Sequence, residues 1–235
     1  MINDNKNKYS SISIEDIDDF FRSESDRSRD SLFHNYQKLM AYYRCAIMEI
    51  STKFNVLNEE FSLQYDRNPI SNIKSRLKKV SSMKEKLEKN GHPFTLDSIE
   101  NNLNDVAGIR VVCSFPDDVY MLANALVKQD DINLIAKKDY IKNPKPNGYR
   151  SLHLIVTVPI FLAHEKRIMK VEIQLRTIAM DFWATLEHQL RYKKNIEFTD
   201  DVAKELFLCA ELSAELDSRM DALRDKIQLD AKIIE

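Results

Sequence analysis

The stretch Val171-Glu172-Ile173-Gln174-Leu175-Arg176 constrains this chain more than any other. Successive side chains of a strand face opposite ways, so Val171, Ile173 and Leu175 belong to a core while Glu172, Gln174 and Arg176 form a row on the other face. A sheet with one dry face and one chemical face follows. Upstream, the loop Pro144-Lys145-Pro146-Asn147-Gly148-Tyr149-Arg150-Ser151-Leu152-His153 offers two cations and an aromatic ring beside that row. An acid, an amide and a guanidinium in line with such a loop point to a metal-and-phosphate site.

The rest of the pattern predicts helices around that sheet. From Ser31 to about Tyr65 the residues Leu32, Tyr36, Leu39, Tyr43, Ile47 and Ile50 recur at three- and four-residue spacing, the period of an amphipathic helix. A second helix is expected to start at Pro69 and to stop at Asn90-Gly91, where a left-handed residue closes the last turn. Strands are expected at 107–115, about 132–142, 150–158 and 168–175, and helices over 117–128, from the Thr177 cap through Met180, Trp183, Leu186 and Leu190, and over 199–229. The fold class is therefore α/β of the α+β kind, a mixed β-sheet flanked by helices with long helices at both ends. Residues 1–30, polar and rich in Ser and Asp, read as a flexible extension ahead of a single domain over 31–235.

Charge is informative through its distribution. The chain's net charge is −2, yet residues 69–90 hold seven basic side chains against Glu85 and Glu88, a local balance of +5. Such a run is either a solvated helix face or a phosphate cluster. A polyanion-binding surface needs a basic chain overall, which this is not. Cys45, Cys113 and Cys209 are too few and too dispersed for a disulfide framework or a zinc site and read as reduced, packed thiols. The first twenty residues carry five acids and no apolar run, and Leu152–Ala163 is too short and too interrupted to span a bilayer, so a cytoplasmic protein with no membrane partner is expected.

Two acids stand out. Asp105 precedes a strand and Glu172 lies off the core on a later one, and Mg2+ favours one or two carboxylates completed by water and phosphate. Asp105 as a turn cap, and Glu172 as a structural partner of Arg150 or Arg176, remain open. Tyr149 follows a glycine in a loop, available to stack on a base or to close over the sheet edge. His153 faces the same way as Ser151.

Lys138-Asp139-Tyr140-Ile141, Pro144 to His153, Val171 to Thr177, Met180 to His188 and Asp105 to Arg110 together resemble the synthetase domain of the RelA/SpoT superfamily, and within it the stand-alone small alarmone synthetases. The resemblance runs from about Phe33 to Asp225. It implies a nucleotidyltransferase-like synthetase fold and transfer of the β,γ-pyrophosphate of ATP to the 3′-hydroxyl of GDP or GTP, with GMP as a further candidate acceptor, giving (p)ppGpp and AMP. It assigns Arg76, Lys78, Lys86, Lys89 and Arg110 to ATP, and Asp105 and Glu172 to Mg2+, with Glu172 also orienting or deprotonating the attacking hydroxyl. Tyr149 is assigned to stacking on guanine, Lys138, Lys145, Arg150, His153 and Gln174 to phosphates, and Asp181 to the neighbourhood of the guanine. The same resemblance implies a homotetramer built through the terminal helices, allosteric alarmone or RNA in some members, and synthesis without hydrolysis, no histidine here preceding an aspartate. A catalytically silent nucleotide- or RNA-binding regulator on the same fold is the alternative.

Overall fold

The computed structural model describes residues 26–65, 67–191 and 199–234. In chain order these form α1 (Asp26–Tyr65), β1 (Ile70–Leu77), α2 (Val80–Lys89), α3 (Leu96–Asn102), β2 (Ala107–Cys113), α4 (Pro116–Val127), β3 (Asn133–Asp139), β4 (Leu152–Phe161), β5 (Lys166–Thr177), α5 (Ile178–Arg191) and α6 (Asp200–Ile234). The five strands make one mixed sheet in the order β1-β2-β5-β4-β3. Only β2 and β5 run parallel. The mixed α+β architecture expected from the sequence is the one observed. Of the expected flexible extension, residues 1–25 lie outside the described residues, and α1 begins at Asp26 rather than at Ser31.

Alternation along the strands produces two unlike faces. Ile109 and Val111 of β2, Leu152, Leu154 and Val156 of β4, and Val171, Ile173 and Leu175 of β5 are all buried in one continuous core. Helix α1 closes it with Tyr36, Met40, Tyr43, Ile47, Ile50 and Phe54, whose spacing keeps them on one side of the helix. Val119, Leu122 and Leu126 of α4 complete it. Burying a side chain of this size is worth roughly 1.5–3 kcal/mol each. The stability of the fold therefore resides on that side of the sheet.

One expected element is different. The basic run does not form a single helix from Pro69: it divides into the edge strand β1 and the ten-residue helix α2. Ile70, Ile73 and Leu77 fall at helix-like intervals because the pairing with β2 slips between Ile70 and Asn72, which breaks the two-residue period. Tertiary pairing along β2 then decides the outcome. The end of α2 is as expected: Gly91 adopts φ 75°, its N–H bonds the Glu88 carbonyl, and the His92 N–H bonds that of Leu87, the double closure of a left-handed cap. Thr177 likewise caps α5 by accepting from the Met180 N–H at 3.1 Å.

Cys113 is buried and Cys45 partly so, whereas Cys209 is exposed on α6, unlike the packed thiol expected. Among the described residues no helix is long and apolar enough to cross a membrane.

Candidate active site on the open sheet face

The second face collects charge. Lys74 on β1 pairs in register with Arg110 on β2, Arg110 with Gln174 on β5, Gln174 with His153 on β4, and His153 with Lys138 on β3. A single rung across all five strands thus carries polar side chains, four of them expected from the sequence and Lys74 not. In the next rung Arg76, Gly108 and Glu172 are neighbours. A Cβ at 108 would make only ordinary van der Waals contact with Arg76, 3.5 Å from its Cγ.

Asp105 stands just ahead of β2 and is not a simple turn cap. Its Oδ2 accepts from Lys78 Nζ at 3.0 Å and from Lys86 Nζ at 2.8 Å. Eight residues along one helix would separate these lysines by about 12 Å. The strand-to-helix turn instead brings both to one oxygen. Burial pushes the Asp105 carboxyl up, but Lys86 and Lys78 outweigh it and hold the group below the usual carboxylate range. Its Oδ1 is buried without a hydrogen-bond partner among the described residues.

Glu172 accepts from Gln174 Nε2 at 3.1 Å and lies 3.6 Å from His153 Nδ1, so neither Arg150 nor Arg176 is its partner. Burial again pushes this carboxyl up, and contacts with His153 and Gln174 more than reverse it, while the charge of Asp105 acts upward. That coupling places the two carboxylates within electrostatic reach of each other. Both are ionised at neutral pH.

These groups fit a divalent cation. An unpartnered buried oxygen on Asp105 and a nearby ionised Glu172 are hard oxygen donors of the kind Mg2+ takes. Among the described residues no three His, Cys, Asp or Glu side chains are grouped to hold a metal by themselves. Two carboxylates leave the remaining positions to water and phosphate.

On the other flank Asp181 of α5 gathers Arg110 at 3.0 Å, Arg176 at 3.2 Å and Lys74 at 3.6 Å. Burial, then the neighbouring Arg176, push the Arg110 guanidinium down, with Asp181 opposing them. Arg176, only 4% exposed, also donates to the Tyr149 hydroxyl at 2.6 Å and to Gln174 Oε1 at 2.9 Å. The Tyr149 hydroxyl meets His153 Nε2 at 2.8 Å. Lys145 lies 4.7 Å from the ring centres of both Tyr140 and Tyr149. The Tyr149 ring is thus held by its hydroxyl to the interior strands β4 and β5.

Two expected residues form no hydrogen bond with this constellation among the described residues. Lys89 projects, exposed, from the last turn of α2. Arg150, expected beside phosphates, turns instead to α6, donating to the Ala210 carbonyl at 3.4 Å and to Glu211 Oε1 at 3.1 Å. Arg176 was expected on this face from the alternation of β5, whereas Lys74 and Tyr140 join the site without having been given a role from the sequence. Alternation from Arg76 would have found Lys74 once β1 was recognised as a strand. A separate cavity of about 270 Å³ lies away from the carboxylates, between the loop residues Pro146 and Asn147, Trp183 of α5, and Leu206 and Phe207 of α6.

Comparison with known proteins places this geometry in a class. The crystal structure of small alarmone synthetase 1 from Bacillus subtilis bound to its product pppGpp superposes with a TM-score of 0.75 at 34% identity, covering 83% of this chain and 98% of that one. Residues 75–197 match the region found in RelA / SpoT proteins. GTP pyrophosphokinase YwaC of Bacillus subtilis (strain 168) is 38% identical over 197 residues, 84% of this chain and 94% of that protein, and GTP pyrophosphokinase YjbM of the same organism is 34% identical over 193 residues, 82% and 90%. The chain belongs to the RelA/SpoT family, among its small alarmone synthetases.

Proposed function

We propose that this chain is a Mg2+-dependent GTP or GDP pyrophosphokinase of the cytoplasm, synthesising (p)ppGpp without hydrolysing it. The 3′-oxygen of GDP or GTP bonds to the β-phosphorus of ATP, the bond from that phosphorus to the α-phosphate oxygen breaks, and AMP leaves. One observation carries the reading: a pair of ionised carboxylates lies among lysines and arginines on the open face of the sheet. Such transfer needs alignment and charge neutralisation more than covalent help.

Bound Mg2+ would neutralise the phosphate oxygens on which charge builds. Asp105 and Glu172 are the residues to hold it, Asp105 through the oxygen that has no partner among the described residues. Arg76, Lys78, Lys86, Lys89 and Arg110 take the ATP phosphates and adenine, Lys78 and Lys86 exchanging Asp105 for phosphate in part. Tyr149 stacks on guanine, with Asp181 beside the base and Lys138, Lys145, His153 and Gln174 at the phosphates. Glu172 is depressed below an ordinary carboxylate, so it serves mainly to orient the 3′-hydroxyl and only weakly as a base.

The terminal helices supply the means of assembly. Leu208, Leu212, Leu216, Leu223 and Ile227 of α6 are exposed at 52% or more, an apolar band that a homotetramer would cover. A single synthetase domain then starts with α1 at Asp26, and alarmone or RNA are its allosteric candidates.

The test is incubation with ATP and Mg2+ and each of GMP, GDP and GTP in turn. AMP release that requires a guanine nucleotide is the expected result. Binding without AMP release identifies a silent regulator, and release of pyrophosphate with adenylate transfer identifies a different nucleotidyltransferase.

A further inference from the structure

The Gly148–Arg150 segment meets α6 at unusually close range. Gly148 has φ 85°, and a Cβ there would lie 2.5 Å from the Cβ of Ala210, so only glycine lets the loop rest on the helix. Tyr149 packs on the small cluster formed by Trp183, Ala184 and Ala210. Arg150 then crosses to the helix with both ends of its guanidinium, one on the Ala210 carbonyl and one on Glu211. A planar fork suits two acceptors of this kind better than a lysine would. Alternation carried back from Leu152, a core residue, also directs Arg150 away from His153 and its rung.

Helix α6 is itself fixed to the end of the sheet. Trp183 Nε1 donates to the Leu206 carbonyl at 2.7 Å, Ser213 Oγ to that of Ala179 at 2.9 Å, and Thr177 Oγ1 to Asp217 at 2.5 Å. Beside the Gly148–Ala210 contact the interface opens into the cavity of about 270 Å³. The loop is therefore held to α6 at a narrow place, in which Arg150 is the polar fastening.

We propose that Arg150 is a positioning residue rather than a phosphate ligand: it fastens the Gly148–Tyr149 loop to α6, and α6 thereby sets where the Tyr149 ring stands. The proposal rests on the guanine-nucleotide reading of the site. It makes acceptor binding depend on a helix that carries none of the residues assigned above to nucleotide. Anything that shifts α6, including a second copy on its exposed apolar band, reaches the acceptor through this contact.

Steady-state kinetics on Arg150→Met, Glu211→Gln and the double variant test it, alongside amide hydrogen exchange of the same proteins without nucleotide. Arg150→Met is expected to raise the acceptor KM about tenfold, equally for GDP and GTP, with the ATP KM within about twofold of wild type; Glu211, half exposed, contributes about two- to threefold in the same direction. The double variant should be no worse than Arg150→Met alone. Exchange should quicken in residues 144–150 and 206–211 and nowhere else. A cost of Arg150→Met that is larger for GTP than for GDP, with Glu211→Gln silent and exchange unchanged, overturns the proposal in favour of a phosphate contact. A wild-type protein that releases no AMP defeats the enzymatic reading alone, because the exchange pattern still decides whether Arg150 fastens the loop.

Discussion

The two faces of the sheet are built from alternate residues of the same strands and have opposite properties. On β5, Val171, Ile173 and Leu175 are fully buried under α1 and α4, while Glu172, Gln174 and Arg176 hold hydrogen bonds to one another and to Tyr149 and Asp181, with Glu172 3.6 Å from His153. Neighbours one residue apart therefore answer to different demands. The closed face holds the fold by apolar burial, and the open face concentrates charge that contributes little to it. A substitution's consequence here is therefore set by parity along the strand more than by its distance from the substrate.

Substitutions can break that contrast. The largest effect expected is from Asp105→Asn, which removes the charge shared by Lys78 and Lys86 together with the oxygen offered to the cation: AMP release should fall about a thousandfold, with a melting temperature close to wild type. Next comes Ile173→Ala on the closed face, which should cost about 3 kcal/mol in denaturant unfolding because the cavity left in a rigid core relaxes only partly. Its surviving folded fraction should turn over normally. Tyr149→Ala should weaken acceptor binding by about 2 kcal/mol, the range of base–aromatic stacking, read as a raised KM for GDP with that for ATP unchanged; Tyr149→Phe, keeping the ring but losing the bonds to Arg176 and His153, should lie between it and wild type. Gly148→Ala should destabilise as well: left-handed backbone alone costs about 1–2 kcal/mol, and the new methyl, 2.5 Å from the Ala210 Cβ, adds to it; thermal melting checks it, and Ala210→Gly should restore part of the loss.

Much of this contrast was legible in the sequence because strands with one dry face print it as strict alternation. The period-two pattern of 171–176 located the carboxylate Glu172, the amide Gln174 and the guanidinium Arg176 on one side, and the structure keeps them there. Helix α1 was equally plain, its apolar residues recurring every three or four positions. Residues 70–77 were not, since an edge strand with a slipped register carries its few apolar side chains at Ile70, Ile73 and Leu77, a spacing that also suits a helix. Losing that strand hid Lys74, and with it one of the three partners of Asp181. Nor does the sequence contain any local signal that Asp105 would sit between Lys78 and Lys86, because that contact is made by the turn from β1 into α2. Arg150 was grouped with the phosphates by its position in the loop, whereas its partners on α6 lie about sixty residues away.

The central claim, that charge on the open face performs guanine-dependent pyrophosphate transfer while the closed face only carries the fold, is tested most directly on Glu172→Gln. AMP release from ATP and Mg2+ in the presence of GDP is measured beside the melting temperature of the same sample. The account predicts turnover reduced to background with the melting temperature of wild type. A Glu172→Gln protein that releases AMP at the wild-type rate would contradict it.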